Sequence, residues 1–175
     1  RRTRNGQSIV YLDSAATSLK PTCVVAAVEQ AMTEFGGSIG RSVHFLAEEA
    51  NVRWEQHRMV IADFVNADAD EIVFLPNTTH AINLVAKNQP TGRVVVASPT
   101  EHHSNLLPWW EKAKVESVAL TEAASIDMVH LEQLLQKHPG ALVAIAYISN
   151  AFGTINDVGR IIEMAHRHGA EVLID

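Results

Sequence analysis

Short apolar runs without an alternating polar face, Arg93-Val94-Val95-Val96-Ala97, Leu142 to Ile148 and Val172-Leu173-Ile174, constrain this chain most. A strand that is apolar on both faces has to be covered on both sides, as in a parallel sheet sandwiched by helices. Further strands are read at Ile9 to Leu12, Glu71 to Leu75 and Val115 to Leu120, and the last run begins at Glu171. Between them lie helical stretches. The first runs from Pro21 to about Phe35 and stops at Gly36-Gly37. A long amphipathic stretch, Phe45 to Val65, carries Trp54, Met59, Ile61 and Phe64 and reads as core-facing. Thr78 to Lys87, His103 to Lys114 with Pro108 early in it, Asp127 to Lys137 and Asp157 to His168 complete the set. This alternation predicts an α/β fold with a mostly parallel sheet and helices returning over it.

Composition narrows the function classes. A chain of 175 residues with 47% hydrophobic content can bury a core of its own. A net charge of −6 argues against a broad nucleic-acid surface, and the cluster Arg1, Arg2 and Arg4 reads as solvating a loose terminus. No apolar run is long enough to predict a membrane span, and no signal-like segment opens the sequence. The single cysteine, Cys23, excludes an intramolecular disulfide. Flanked by Val24, Val25 and Ala26, it reads as a small core or surface residue rather than a nucleophile. The absence of an initiator Met, and a last residue Asp175 directly after an apolar strand, lead us to expect a piece of a larger enzyme.

In open α/β sheets the chemistry sits beyond the carboxyl ends of the strands. The polar residues expected there are Asn77-Thr78-Thr79, Ser98 to His103, Ser149-Asn150 and Asp175. Asn77-Thr78-Thr79 opens a helix, where free N–H groups and hydroxyls suit a phosphate; an ordinary helix cap accounts for the same residues. Glu101-His102-His103 is a poor chelate, because adjacent residues of an extended segment point to opposite sides. It fits one imidazole facing a pocket with its neighbour packed beneath. His80, His130, His166 and His168 read as surface or helix-end residues. Asp175 and Asn150 together suit the edge of a heteroaromatic ring, where a carboxylate keeps a ring nitrogen protonated. A strand-end Asp capping a following helix is the plainer alternative.

Specific segments then add a resemblance. YLDSAATSLKP (Tyr11 to Pro21), RSVHFLA (Arg41 to Ala47), NTTHAINLVA (Asn77 to Ala86), EHHSNLLPW (Glu101 to Trp109), SNAFGT (Ser149 to Thr154) and HGAEVLID (His168 to Asp175) follow one another in order. The chain resembles the cysteine desulfurase and selenocysteine lyase branch of the class V aminotransferases, which use pyridoxal 5'-phosphate. The resemblance implies the aspartate-aminotransferase-like large domain. Residues 1–175 would be its N-terminal portion, with residues 1–40 lying against a small domain. It implies that Thr79, with Thr78 and its backbone, binds the cofactor phosphate. His102 would stack on the ring and serve in proton transfer, Asn150 would lie near its phenolic oxygen, and Asp175 would pair with its nitrogen. Ala15 and Ala16 would approach the substrate, and Arg41 and His44 would reach toward a partner subunit. For Arg41 a solvated loop charge is the alternative.

The same resemblance implies L-cysteine as substrate, alanine and an enzyme persulfide as products, a homodimer, a sulfur-acceptor protein and a cytoplasmic setting, with an organelle left open. No metal, nucleic acid or membrane is implied. The family's cofactor-bonding lysine follows the ring-pairing Asp, and neither Lys87 nor Lys112 matches its motif. The sulfur-accepting cysteine comes later still, so this chain alone is expected to be inactive. Departures from the pattern are Pro76-Asn77 where Arg-Gly is usual, His80 where Glu is common and Gly40 where His is common. They keep two alternatives open: another lyase, epimerase or aminotransferase of the family, or a short non-catalytic chain that binds a partner.

Overall fold

The computed structural model describes residues 3–175, so Arg1 and Arg2 of the expected basic terminus lie outside the described residues. The chain divides into two compact units, Arg1–Phe74 and Leu75–Asp175.

The first unit opens with a hairpin that the sequence reading missed. β1 (Thr3–Arg4) pairs antiparallel with β2 (Gln7–Ser8), so Arg4 belongs to a ladder rather than a loose tail. Its turn residues Asn5 and Gly6 have φ of 52° and 78°. That is the Asn-Gly signature of a tight hairpin. Ile9 to Leu12 is not a strand, because no neighbouring segment pairs with it among the described residues. The Tyr11 hydroxyl instead donates to the carbonyls of Asp13 (2.8 Å) and Thr17 (2.7 Å). Helix α1 (Thr22–Glu34) follows Pro21, and α2 (Phe45–Val65) has the bounds expected. Arg53 stacks 3.7 Å over the Phe35 ring and also pairs with Glu49 at 2.8 Å. Trp54 meets Phe74 edge to face at 4.6 Å. The core-facing reading of α2 is corrected: only Ala47, Ala50 and Ala62 are buried, and Met59, Ile61 and Phe64 are exposed. Among the described residues this unit contains no larger sheet for the helix to pack on. Glu71 to Leu75 also fails as a strand. Ala69–Glu71 forms a 3-10 turn, and the residues after it have no partner strand among the described residues.

The second unit contains α3 (Thr78–Lys87), β3 (Val94–Ala97), α4 (Leu107–Lys112), β4 (Lys114–Ser117), α5 (Met128–Lys137), β5 (Leu142–Ile145), α6 (Val158–Arg167) and β6 (Glu171–Ile174). Its strands are all parallel, in the order β4-β3-β5-β6. Strand periodicity divides the side chains into two layers. Val95, Leu142 and Ala144 pack with Ile82 and Ala86 of α3 and Trp109 of α4. Val96, Val143 and Ile145 pack with Leu131 and Leu135 of α5 and Ile161 and Met164 of α6.

Several boundaries differ from expectation. The helix expected over His103 to Lys114 is a 3-10 turn, His103–Asn105, followed by α4. Pro108 lacks an N–H and its ring fits only a first helical turn, so a fresh start at Leu107 accommodates it. β4 and β5 end before Leu120 and Ile148, which form isolated antiparallel bridges with Ile126 and Ile155.

Arg93 ties the amino ends of the strands together. It donates to the carbonyls of Gly140 (3.0 Å) and Ala141 (3.2 Å) and pairs with Glu171 (2.7 Å). The chain leaves β3 for β4 on one side and reaches β5 and β6 on the other. The order therefore reverses between β3 and β5, where such sheets open a crevice at their carboxyl ends. No helix among the described residues is long and apolar enough to cross a membrane.

Candidate active site at the switch point of the sheet

The Asn77 side chain caps α3 by accepting from the His80 N–H at 2.9 Å, and its carbonyl accepts from Ala81 N–H at 3.2 Å. Capping thus leaves the Thr78 and Thr79 amides without a protein acceptor among the described residues. Free amides at the positive end of a helix attract an anion. Thr79 lines an open cleft of about 310 Å³ with Asn83, His102, His103 and Ser104. Thr78 is exposed beside it but is not part of its lining.

His102 follows β3 and starts the 3-10 turn. Its Nδ1 accepts from the Ser104 N–H at 3.2 Å and lies 2.7 Å from the Ser104 hydroxyl. These contacts fix the ring while leaving it exposed. His103 is not packed beneath it, as the sequence suggested. Both rings are exposed, their centroids 6.1 Å apart, because the turn begins between them. Among the other histidines, His130 stands in the first turn of α5, a helix end as expected, half-buried with its Nδ1 accepting from the Ala119 N–H at 2.8 Å.

Next to His102 in the chain is a group that the sequence reading weighed only as a poor metal ligand. Glu101 is 6% exposed, and its Oε2 accepts from Asn105 Nδ2 at 2.8 Å. Asn105 Oδ1 in turn accepts from Trp109 Nε1 at 3.1 Å, and both residues are fully buried. Burial pushes the Glu101 carboxyl above its ordinary range, and the negative charge of Asp175 adds to the rise. Hydrogen bonding from the Ala146 amide and from Asn105 opposes it.

Asp175 extends the β5–β6 pairing. Its N–H donates to the Ile145 carbonyl and its carbonyl accepts from Tyr147 N–H, both at 2.9 Å. Its side chain is exposed. Asn150 is exposed in the loop after β5, where the Ser149 N–H donates to the Thr154 carbonyl (2.9 Å). Gly153, at φ 69°, closes that loop onto the Ser149 carbonyl (2.8 Å). Thr79 and His102 thus share a cleft, and Asp175 acts on Glu101, whereas Asn150 lines no part of that cleft. The group expected at the top of a strand, Asn77 to Thr79, instead begins α3 after an unpaired segment. Ala15, Ala16, Arg41 and His44 belong to the first unit. There Ala16 N–H closes a turn onto the Asp13 carbonyl (3.2 Å) and His44 Nδ1 caps α2 by accepting from Ala47 N–H (3.3 Å). Arg41 is exposed.

The family model for aminotransferase class-V matches residues 10–175. The chain belongs to the class-V aminotransferases. It is 40% identical to a probable cysteine desulfurase of Halalkalibacterium halodurans, over 98% of this chain and 45% of that protein. Among solved structures, the apo cysteine desulfurase of Thermococcus onnurineus superposes with a TM-score of 0.87 at 34% identity, over 95% of this chain and 44% of that one. The cysteine desulfurase CsdA of Escherichia coli gives 0.75 at 35% identity, over 94% and 44%. The class-V fold expected from the sequence is therefore present. The chain spans less than half the length of each of these relatives, and the matches support a fragment of a cysteine desulfurase-like protein.

Proposed function

We propose that this chain is the N-terminal portion of the large domain of a pyridoxal-phosphate-dependent cysteine desulfurase, which removes sulfur from L-cysteine and leaves alanine. The observation that carries this reading is the shared cleft of Thr79 and His102 beside the free amides of α3, at the carboxyl end of a parallel sheet. The donor set fits the cofactor. The Thr79 hydroxyl and the amides of Thr78 and Thr79 would hold its phosphate, and His102 offers a flat face for its ring. Asp175 offers a carboxylate for the ring nitrogen, and Asn150 an amide for the phenolic oxygen. When bound, the cofactor supplies an electron sink for charge developing on the substrate α-carbon. Asp175 would keep the proton on the ring nitrogen. His102, oriented by Ser104, would stack on the ring and hold or move a proton at Nε2. Ala15 and Ala16 would face the substrate. Arg41 and His44 would serve a homodimer contact, and a sulfur-acceptor protein would take the product sulfur. A cytoplasmic setting suits this chemistry.

Titration of the full-length protein with pyridoxal phosphate, followed by visible absorbance, tests the reading. Thr79→Val removes one donor to the phosphate and should weaken binding about 10-fold, as loss of a charge-assisted hydrogen bond does. Unchanged affinity in Thr79→Val would move the phosphate elsewhere. Failure of the unaltered protein to bind would end the proposal.

A further inference from the structure

Glu101 has no part in the function proposed above, yet it is the most unusual side chain of the second unit. A carboxyl group taken out of water is costly unless other groups hold it. Here Oε2 is held by Asn105, whose own carbonyl oxygen is held by the buried Trp109 indole. Oε1 is buried without a hydrogen-bond partner in good geometry, although the Ala146 amide acts on the carboxylate. Glu101 belongs to the loop leaving β3, and Ala146 is the first residue beyond β5. Those strands are the neighbours between which the sheet order reverses. The carboxyl group is thus bonded to the turn that leads into α4 and lies near the top of β5, and the next residue in the chain is His102.

We propose that Glu101 is a positioning residue: by joining the loop after β3 to Asn105 in the turn that leads into α4, it sets where the His102 ring stands over the crevice. The inference rests on the cofactor reading for its consequence, the placement of His102 over a bound ring. The geometry it concerns exists without the cofactor. Asn105 and Trp109 extend the link into the apolar layer beneath α3 and α4, where Trp109 packs with Ile82 and Val95. Ser104 orients the ring locally, whereas Glu101 fixes the backbone that carries it.

The test uses the full-length protein and the variants Glu101→Ala, Glu101→Gln and Trp109→Phe, the last removing the indole N–H together with part of the buried ring. Imidazole NMR signals of His102 are recorded without cofactor, with the signals of His130 as an internal reference, and pyridoxal phosphate affinity is measured separately. Glu101→Ala should shift or broaden the His102 signals, leave those of His130 in place, and weaken the cofactor about 10-fold, as loss of an orienting partner does. Glu101→Gln keeps an acceptor for Asn105 and should restore the signals, with affinity within about 2-fold of the original. Trp109→Phe should change His102 in the same direction but less, and it decides the matter if Glu101→Ala does not fold. Unmoved His102 signals, or His130 signals moving equally, would overturn the role of Glu101. If the unaltered protein binds no cofactor, the functional reading falls, while the His102 signals still decide the positioning role.

Discussion

Glu101 is the residue where burial and charge conflict most, and the conflict has a measurable sign. Burial lifts its carboxyl above the ordinary value of 4.5 against the opposing effects of the Ala146 amide and Asn105, and the charge of Asp175 adds a smaller rise. The folded protein thus holds this proton more tightly than the unfolded chain does. Its contribution to stability is complete below 4.5 and declines as pH rises toward the raised value. Urea midpoints measured across that window should fall with pH in the original protein. In Glu101→Gln, which cannot ionise, this part of the slope should vanish. An identical slope in both would assign the pH dependence to other groups. That His102, Thr79 and Asp175 stand at element ends was legible from the sequence, because each belongs to a short motif. Glu101 was not legible as buried, because its neighbours His102 and His103 are exposed. Only the turn at His103–Asn105 sends the Glu101 and Asn105 side chains inward.

At the scale of elements, Arg93 allows two kinds of interaction to be separated. Its guanidinium is largely covered, and it donates to backbone carbonyls at the start of β5 as well as to Glu171, whose side chain is 71% exposed. An exposed partner contributes little, whereas the carbonyl of buried Ala141 left without a donor costs more. Arg93→Ala should therefore lower unfolding stability by about 2 kcal/mol. Glu171→Ala should change it by less than about 0.5 kcal/mol. Equal losses in denaturant midpoints would make the ion pair, rather than the carbonyl contacts, the stabilising part. Helices whose limits depend on local chemistry were read well. α3 begins after Asn77, α5 after Asp127 and α6 after Asp157, and each side chain accepts from its own first turn. Strand limits were read less well. Ile9 to Leu12 and Glu71 to Leu75 have strand-like residues, but a strand exists only where a neighbour takes its hydrogen bonds.

For the whole molecule, ligand linkage supplies the broadest test. A cofactor that binds only the folded form at about 100 times its Kd should raise stability by about 2.7 kcal/mol. Calorimetry of the full-length protein should therefore show a higher melting temperature with pyridoxal phosphate, and an unmoved transition would count against the cradle at α3. By itself, the sequence determined the α/β class, most helices with their caps, and the positions of strands at Val94–Ala97, Leu142–Ile145 and Glu171–Ile174; the last, read as buried, is an edge strand exposed at both ends. It also marked the motif residues, because capping, periodicity and apolar runs are properties of neighbouring residues. Tertiary structure alone decided the strand order β4-β3-β5-β6, and with it the crevice between β3 and β5. It also decided which polar groups share that crevice and which lie under it. Those outcomes depend on segments far apart in the chain, whose pairing is selected by the burial of both sheet faces at once and leaves no mark within any one segment.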